Sequence, residues 1–279
     1  MDSIKDKSVL ITGGGRGVGK RLAMGFARAG ARVGLLARSK AEIDLTKLEI
    51  EHSGGSAMTI KADVRDFEHL CAGVDRMRVR FGGVHILVAA AATQGPIGPL
   101  AETKPKAWAE TLEVNLVGVM HACLAVLPEM IERRSGKIIA VTGGGAAFPR
   151  PNFSAYAASK AGLARFVETV AAEVREHNVQ ANCMSPGGAY THMTDEILHA
   201  GRRAGQQEME EAEKVRLTGG VDVEEQIGLA LFLASDRSNH ISGKFVHVSD
   251  DWRKLERSDM SEDTLTLRRV TGSQPRFRK

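Results

Sequence analysis

The segment S-V-L-I-T-G-G-G-R-G-V-G-K, residues 8–20, carries the strongest structural signal in the chain. A short apolar run predicts a buried strand at 8–12, and a helical pattern follows the glycine-rich turn. Glycines in such a turn let backbone N–H groups approach an anion at the positive end of the helix. They would also serve a simple chain reversal, but the strand before and the helix after favour dinucleotide binding. We predict that this site is lined by Gly13, Gly15, Arg16, Gly17, Val18 and Gly19.

Short apolar runs alternate with longer helical patterns along the whole chain, which is typical of βαβ units. The predicted strands cover residues 8–12, 31–36, 57–62, 84–89, 136–142, 179–185 and 244–249. The predicted helices run through 20–27, begin at Ser39 and Asp66, lie around 108–111 and 115–133, and cover 154–176 and 222–234. We therefore predict an α/β fold, a single doubly wound domain of Rossmann type with about seven parallel strands and helices on both faces.

The 279 residues, 43% hydrophobic and 26% charged, have an ordinary globular composition. We assign residues 1–250 to one dinucleotide-binding and catalytic domain and residues 251–279 to a C-terminal extension. Within the domain, the polar and charged stretch 190–220 is expected to form a helical lid over the substrate.

Several features argue against a membrane or metal protein. The longest apolar run, 86–92, is far shorter than the roughly 20 residues of a membrane helix. The first 14 residues lack the layout of a signal peptide. We expect a cytoplasmic protein with no membrane partner. Because Cys71, Cys123 and Cys183 are widely spaced within apolar patterns, we expect buried thiols and no metal site.

The net positive charge of the chain comes from its C-terminal residues. The formal net charge is +4, and residues 253–279 hold eight Lys/Arg against four Asp/Glu, so the remainder is neutral. The terminal R-R-V-T-G-S-Q-P-R-F-R-K, 268–279, has a composition that can contact nucleic acid. A solvated tail or a contact with a partner subunit explains it more simply, so nucleic acid is not expected as a partner.

The end of the second predicted strand bears on cofactor choice. NAD-dependent enzymes commonly place a carboxylate there to accept a hydrogen bond from the adenosine ribose. This chain has Arg38 instead, and Arg16 lies in the glycine turn. Either arginine alone is adequately explained as a solvated charge. Together they offer two cations to a ribose 2′-phosphate, which predicts NADP(H) over NAD(H).

The motif Y-A-A-S-K contains the candidate acid and base. Tyr156 and Lys160 are spaced i, i+4 on a predicted helix, so the two side chains share one face. A free phenol titrates near pH ~10, and a nearby ammonium is expected to lower its pKa into a useful range. A packing tyrosine beside a surface lysine is the ordinary alternative.

These motifs, in this order, resemble the short-chain dehydrogenase/reductase superfamily over about residues 5–250. The resemblance rests on T-G-x-x-x-G-x-G at 12–19, on Y-x-x-x-K at 156–160 and on the segment that contains Pro186, Gly187 and Thr191. It implies a carbonyl/alcohol oxidoreductase that forms a homodimer or homotetramer through the helices at 115–133 and 154–176.

The resemblance also implies roles for individual residues. Asn115 would interrupt a long helix and hold a water in a proton relay, while Lys160 would also grip the nicotinamide ribose. The adenine would contact Asp63 and Val64. Pro186, Gly187 and Thr191 would orient the nicotinamide carboxamide, and the backbone of Ala89, Ala90 and Ala91 would line the cofactor.

Two departures from the family pattern matter. Where the family usually has N-N-A-G, this chain has four alanines at 89–92, so we expect a less stable or shifted loop there. The family's catalytic serine usually lies thirteen residues before the tyrosine, and Gly143 occupies that position. Thr142 is the expected substitute hydroxyl, and V-T-G-G-G-A resembles a subgroup with S/T-G-G-G-A in this segment. Without that donor, turnover would fall by about 10²-fold to 10³-fold.

The sequence therefore predicts an oxidoreductase in which Asn115, Thr142, Tyr156 and Lys160 are catalytic. An NADP(H)-binding regulator with little turnover is the alternative, supported by Gly143 and the four alanines. The small-molecule substrate is not identified. Arg150, Arg202 and Arg203 would suit an anionic one, although charged lids are usually only soluble surfaces. His192 and His199 are expected to be solvated lid residues.

Overall fold

A computed structural model describes residues 4–257 and 260–269 of the chain. Seven strands form one parallel sheet in the order β3-β2-β1-β4-β5-β6-β7. They are β1 (Ser8–Thr12), β2 (Arg32–Ala37), β3 (Ser56–Lys61), β4 (Ile86–Ala89), β5 (Gly136–Val141), β6 (Val179–Ser185) and β7 (Phe245–His247). The predicted doubly wound α/β fold is confirmed, and the predicted bounds of β1 and β6 match those of the structure.

Helices cover both faces of the sheet, because strands buried on both sides need apolar partners above and below. One core cluster joins the sheet to α3 (Phe67–Phe81), α5 (Gly118–Arg133) and α6 (Ser154–Glu173). The other cluster joins it to α1 (Gly17–Arg28), α2 (Lys40–His52) and α9 (Val223–Ala234). Three further helices are α4 (Pro105–Leu112), α7 (His192–Ala200) and α8 (Gln206–Thr218).

The helix starts predicted at two polar residues follow from capping. The Ser39 hydroxyl accepts a hydrogen bond from the Glu42 backbone N–H, and the Asp66 carboxylate accepts one from the His69 N–H. Each side chain satisfies an N–H that has no partner within the helix.

The two helices predicted around 108–111 and 115–133 are one continuous helix. α4 runs into α5 through a π-helical turn at Glu113–Val117 that contains Asn115. No glycine or proline stands between residues 105 and 118, which is consistent with a helix that continues through the wider turn. By length and composition, the combined helix 105–133 could span a membrane. The prediction from the sequence did not include such a helix, because it rested only on the uninterrupted apolar run 86–92. One face of α5 packs in the core through Ala122, Cys123 and Val126.

The segment after β7 packs against the domain. Trp252 is 5% exposed and contacts Phe232 and the backbone at Gly228 on α9. Along the edge of the sheet, the Phe245 N–H donates to the carbonyl oxygen of Leu265. Residues 251–257 and 260–269 thus cover one end of the sheet. Residues 270–279, which make up most of the candidate nucleic-acid segment 268–279, lie outside the described residues.

The strand order reverses between β1 and β4. The chain runs outward from β1 to β3 on one side and from β4 to β7 on the other. Crossover connections leave this point in opposite directions, so a crevice opens beyond the carboxyl ends of β1 and β4. The fold therefore places a ligand site at Gly13, after β1, and at Ala90, after β4.

Candidate active site

A cavity of about 1030 Å³ lies beyond the carboxyl ends of the central strands. Most residues predicted for the site line it: Gly13, Gly15, Arg16, Gly17, Val18, Gly19, Arg38, Asp63, Val64, Ala90, Ala91, Thr142, Tyr156, Lys160, Pro186, Gly187 and Thr191. Two predicted residues, Ala89 and Asn115, lie beneath its wall and are 1% and 0% exposed. Ala89 is the last residue of β4, and its side chain belongs to the core.

The glycine turn is tight because other backbone comes close to it. A Cβ on Gly19 would lie 2.2 Å from the carbonyl oxygen of Gly13, and one on Gly13 would lie 2.8 Å from Ala91 Cα. Gly13 and Gly17 also have positive φ angles of 72° and 54°. The Arg16 side chain makes no capping hydrogen bond at the N-terminus of α1, and the first residues of the helix, Gly17, Val18 and Gly19, line the cavity. This turn fits a pyrophosphate.

Two arginines stand at the same end of the cavity. Arg38 is exposed and makes no hydrogen bond or ion pair with another described residue. Arg16 lies 3.6 Å from the Glu42 carboxylate in a largely exposed pair. Asp63 accepts hydrogen bonds from the Arg65 backbone and guanidinium, and these bonds lower the pKa of its carboxyl. The donors of the turn and the arginines together fit a dinucleotide with an anionic adenosine end.

The alanine segment after β4 is held by groups outside it. The Thr12 hydroxyl accepts hydrogen bonds from the N–H groups of Ala90 and Ala91, at 3.2 and 3.1 Å. The Asn115 carboxamide accepts from the Thr93 N–H and donates to the Thr93 carbonyl, at 2.8 and 2.9 Å. It also donates to the Ser159 hydroxyl at 3.1 Å. These contacts anchor the segment without the asparagines that the family pattern places there.

Tyr156 and Lys160 lie on one face of α6, one turn apart, as the spacing predicts. Both line the cavity and are 8% and 3% exposed. Lys160 Nζ donates a 2.8 Å hydrogen bond to the carbonyl oxygen of Val141, the last residue of β5. It stands 5.6 Å from the centre of the Tyr156 ring.

Burial governs the ionisation of this pair. It lowers the pKa of Lys160 to about 8, because the ammonium is desolvated. It raises the pKa of Tyr156, while Arg150 acts to lower that pKa and Glu208 to raise it. The lowered phenol pKa expected from the sequence is therefore not found, since desolvation outweighs the effect of Arg150. With a raised pKa, Tyr156 carries its proton at neutral pH.

The segment after β5 contains the second polar group. Thr142 is 3% exposed, and its hydroxyl has no hydrogen-bond partner among the described residues. At Gly143, a Cβ would lie 2.8 Å from the Tyr156 hydroxyl oxygen. Position 143 thus faces the phenol directly, and the phenol occupies the space that a larger residue there would need. Thr142, the residue before Gly143, carries a hydroxyl and also lines the cavity.

The segment after β6 joins the cavity to α7. The Pro186 carbonyl accepts a 3.0 Å hydrogen bond from the Gln226 amide, which fixes the turn. The Thr191 side chain accepts a bond from the Thr194 N–H in a capping box at the start of α7. A hydroxyl that accepts in this way keeps its own hydrogen to donate, so Thr191 retains one donor for a ligand.

Sequence reasoning missed the polar contacts of the far end of the cavity. Arg150 makes a two-bond ion pair with Glu208 of α8, at 2.8 and 2.7 Å, so it is already paired. Arg203 does not line the cavity and pairs with Glu102 at the surface. Gln94, 2% exposed, also lines the cavity, and its amide nitrogen has no partner among the described residues. No local pattern reveals a pair 58 residues apart in sequence.

Comparisons with known proteins identify related oxidoreductases. The family model described as short chain dehydrogenase matches residues 7–201. Oxidoreductase UcpA of Salmonella typhimurium is 34% identical over 248 residues, which are 87% of this chain and 93% of the relative. The 3-oxoacyl-[acyl-carrier-protein] reductase FabG of Staphylococcus aureus is 29% identical, with 87% and 96% covered. A solved variant of actinorhodin polyketide ketoreductase with NADPH is 26% identical, with a TM-score of 0.80 and 87% and 95% covered.

The unpartnered hydroxyl of Thr142 gives a stability prediction. In Thr142→Val, a buried unsatisfied donor is replaced by a methyl group of similar shape. We expect the free energy of unfolding of the ligand-free protein to stay level or rise by about 1 kcal/mol, measured by urea denaturation.

The matched control is Thr46→Val. The Thr46 hydroxyl is also buried, but it donates to the Glu42 carbonyl at 3.0 Å. That variant should lose about 1 kcal/mol. A loss in Thr142→Val as large as in the control would show that the Thr142 hydroxyl serves the fold.

Proposed function

Because the chain belongs to the short-chain dehydrogenase family, it is an NAD(P)-dependent oxidoreductase that interconverts alcohols and carbonyl compounds, and we propose that Tyr156 is its proton donor and acceptor. The observation that carries this proposal is the enclosed phenol on the cavity wall, one helical turn from a buried lysine. A structural tyrosine would instead point its hydroxyl at a protein partner or at bulk water.

We propose that the cofactor lies along the carboxyl ends of the strands. The free N–H groups at the start of α1 would hold the pyrophosphate, and Asp63 and Val64 would contact the adenine. The backbone at Ala90 and Ala91, the turn at Pro186 and Gly187, and the remaining donor of Thr191 would position the nicotinamide end. The nicotinamide supplies or accepts the hydride when the cofactor is bound.

The residues of the chain handle the proton. Tyr156 donates its hydroxyl proton to the carbonyl oxygen during reduction and takes it back during oxidation. Thr142 donates a hydrogen bond to the same oxygen, which stabilises the charge that develops there. Lys160 has a pKa of about 8, so it exchanges protons readily near neutral pH and can recharge the tyrosine. Asn115 supports these catalytic residues by hydrogen bonding the backbone of Thr93 and the hydroxyl of Ser159.

We propose NADP(H) as the preferred cofactor. Arg38 follows β2 without a hydrogen bond or ion pair to another described residue, and Arg16 lines the same cavity. The solved ketoreductase was determined with NADPH, and FabG carries the name of a reductase. Two cations and no carboxylate at position 38 suit a 2′-phosphate.

We further propose that α7 and α8 act as the substrate lid and that the protein works as a homo-oligomer in the cytoplasm. Both lid helices contribute to the cavity wall through Ile197 and Ala212. The helix 105–133 leaves apolar surface outside, including Leu124 at 50% exposed, which suits a partner subunit.

A cofactor-binding regulator is the second candidate. Gly143 removes a hydroxyl from beside the phenol, which favours binding with little turnover. With a broad panel of ketones and aldehydes, the enzyme should consume NADPH with at least one compound, whereas the regulator should consume NADPH with none.

The Tyr156→Phe variant tests the proposed proton donor. We expect substrate-dependent NADPH oxidation to fall by at least about 10²-fold, because a general acid contributes that much or more. Calorimetry should show NADPH affinity within about twofold of the parent, which serves as the folding control. Full turnover by the variant would contradict the proposal.

The Arg38→Ala variant tests cofactor preference. Loss of one charge-assisted hydrogen bond to the 2′-phosphate should lower kcat/KM for NADPH by about tenfold or more. The kcat/KM for NADH should stay within about twofold of that of the parent protein, since NADH has no 2′-phosphate. Arg80→Ala, on α3 outside this cavity, is the control. Equal losses with both cofactors would rule out a 2′-phosphate contact.

A further inference from the structure

The far end of the cavity contains a paired cation beside the reactive phenol. The Arg150 guanidinium lies 5.3 Å from the centre of the Tyr156 ring and 4.0 Å from that of Phe153. Two of its nitrogens donate to the two carboxylate oxygens of Glu208 at 2.8 and 2.7 Å. The side chains are only 13% and 25% exposed. The pair has no net charge and uses the fork geometry that a substrate carboxylate would need.

The surroundings of this pair are apolar. Phe153 and Tyr156 form a cluster with Ile197 of α7 and Ala212 of α8. Ile97 and Met209 pack against the same cluster. A group that enters here from solvent loses its hydration shell. An ion would lose its hydration without gaining an ion pair or a hydrogen bond in return.

The other cations of the cavity wall are engaged or remote. Lys160 is hydrogen bonded to the Val141 carbonyl. Arg38 follows β2, and three strand spacings separate β2 from β5, or about 14 Å. Glu196 and Glu211 of the lid also line the cavity, but each lies beside a lid partner, His192 at 3.4 Å and Lys214 at 3.8 Å. Near Tyr156, a substrate carboxylate would meet the Glu208 carboxylate and a guanidinium that is already satisfied.

We propose that the site takes uncharged carbonyl compounds and alcohols and rejects carboxylates and phosphates, and that Glu208 sets this specificity by occupying Arg150. The proposal rests on the proposed function for the identity of the reacting group. A substrate anion must displace Glu208 or lie beside it, and like charges in a partly desolvated pocket repel strongly. With Glu208 neutralised, the same guanidinium becomes a carboxylate receptor.

The first arm of the test measures binding without turnover. Thermal unfolding is followed with sodium acetate against sodium chloride at equal ionic strength. Wild type should show no acetate-specific rise in Tm, whereas Glu208→Gln should show a rise that saturates with acetate, because acetate replaces the lost carboxylate. An equal rise in wild type, or none in the variant, overturns the proposal.

The second arm measures kcat/KM with NADPH for a matched pair, ethyl acetoacetate and acetoacetate. Wild type should prefer the ester by about 100-fold or more, and Glu208→Gln should reduce that ratio by at least about tenfold. Equal use of the two compounds by wild type overturns the proposal while leaving the oxidoreductase function intact. If wild type consumes no NADPH with any ketone or aldehyde, the proposed function fails, and the acetate arm alone decides the charge specificity.

Two further variants keep the test sharp. Glu210→Gln changes a carboxylate on the same helix that bonds Gln206 at the surface, and it should match wild type in both arms. The double variant Arg150→Gln/Glu208→Gln leaves no unpaired buried charge, so it guards against misfolding of the single variant. It should show no acetate effect. An acetate effect in either variant equal to that of Glu208→Gln overturns the assignment to Arg150.

Discussion

A hydrogen bond from the Lys160 ammonium to the carbonyl oxygen of Val141 links α6 to the end of the central sheet. It ties α6 to β5 at the point where the strand ends, and it leaves Tyr156 one turn earlier with its hydroxyl against Gly143. Because the ammonium is buried, it needs this partner, and the same burial brings its pKa to about 8. The position of Lys160 and its lowered pKa thus both follow from its burial.

Charge divides the cavity into two ends. Arg16 and Arg38 face the end beside β1 and β2, where an anionic dinucleotide finds free N–H groups and guanidinium groups. At the opposite end, Arg150 is neutralised by Glu208. In the proposed binding mode, the cofactor phosphates would meet positive charge, and the carbonyl compound would meet a neutral, apolar wall. The lid helix α8 supplies the carboxylate, so lid position and substrate charge are linked.

The sequence predicted most of the fold because local and global signals agree. The strand at 8–12 and the cap at Asp66 follow from apolar runs and short polar side chains. The features that the sequence analysis did not predict have physical causes. The resemblance placed an interruption of the long helix at Asn115, where the π-helical turn 113–117 lies, but it did not give the partners of Asn115, Thr93 and Ser159, which are 22 and 44 residues away. The raised pKa of Tyr156 depends on burial by α7 and α8, and the Arg150–Glu208 pair depends on how the lid folds back. Neither is encoded in a local pattern.

The placement of the phenol beside Gly143 is tested most directly by two alanine substitutions in one loop. A Cβ at Gly143 would lie 2.8 Å from the Tyr156 hydroxyl, whereas one at Gly144 would meet nothing within 4 Å. The measurement is single-turnover NADPH oxidation. The account predicts that Gly143→Ala slows it by about tenfold to 10²-fold through displacement of the phenol, while Gly144→Ala leaves it within about twofold. Equal rates for the two variants would contradict the placement of Tyr156 as the proton donor.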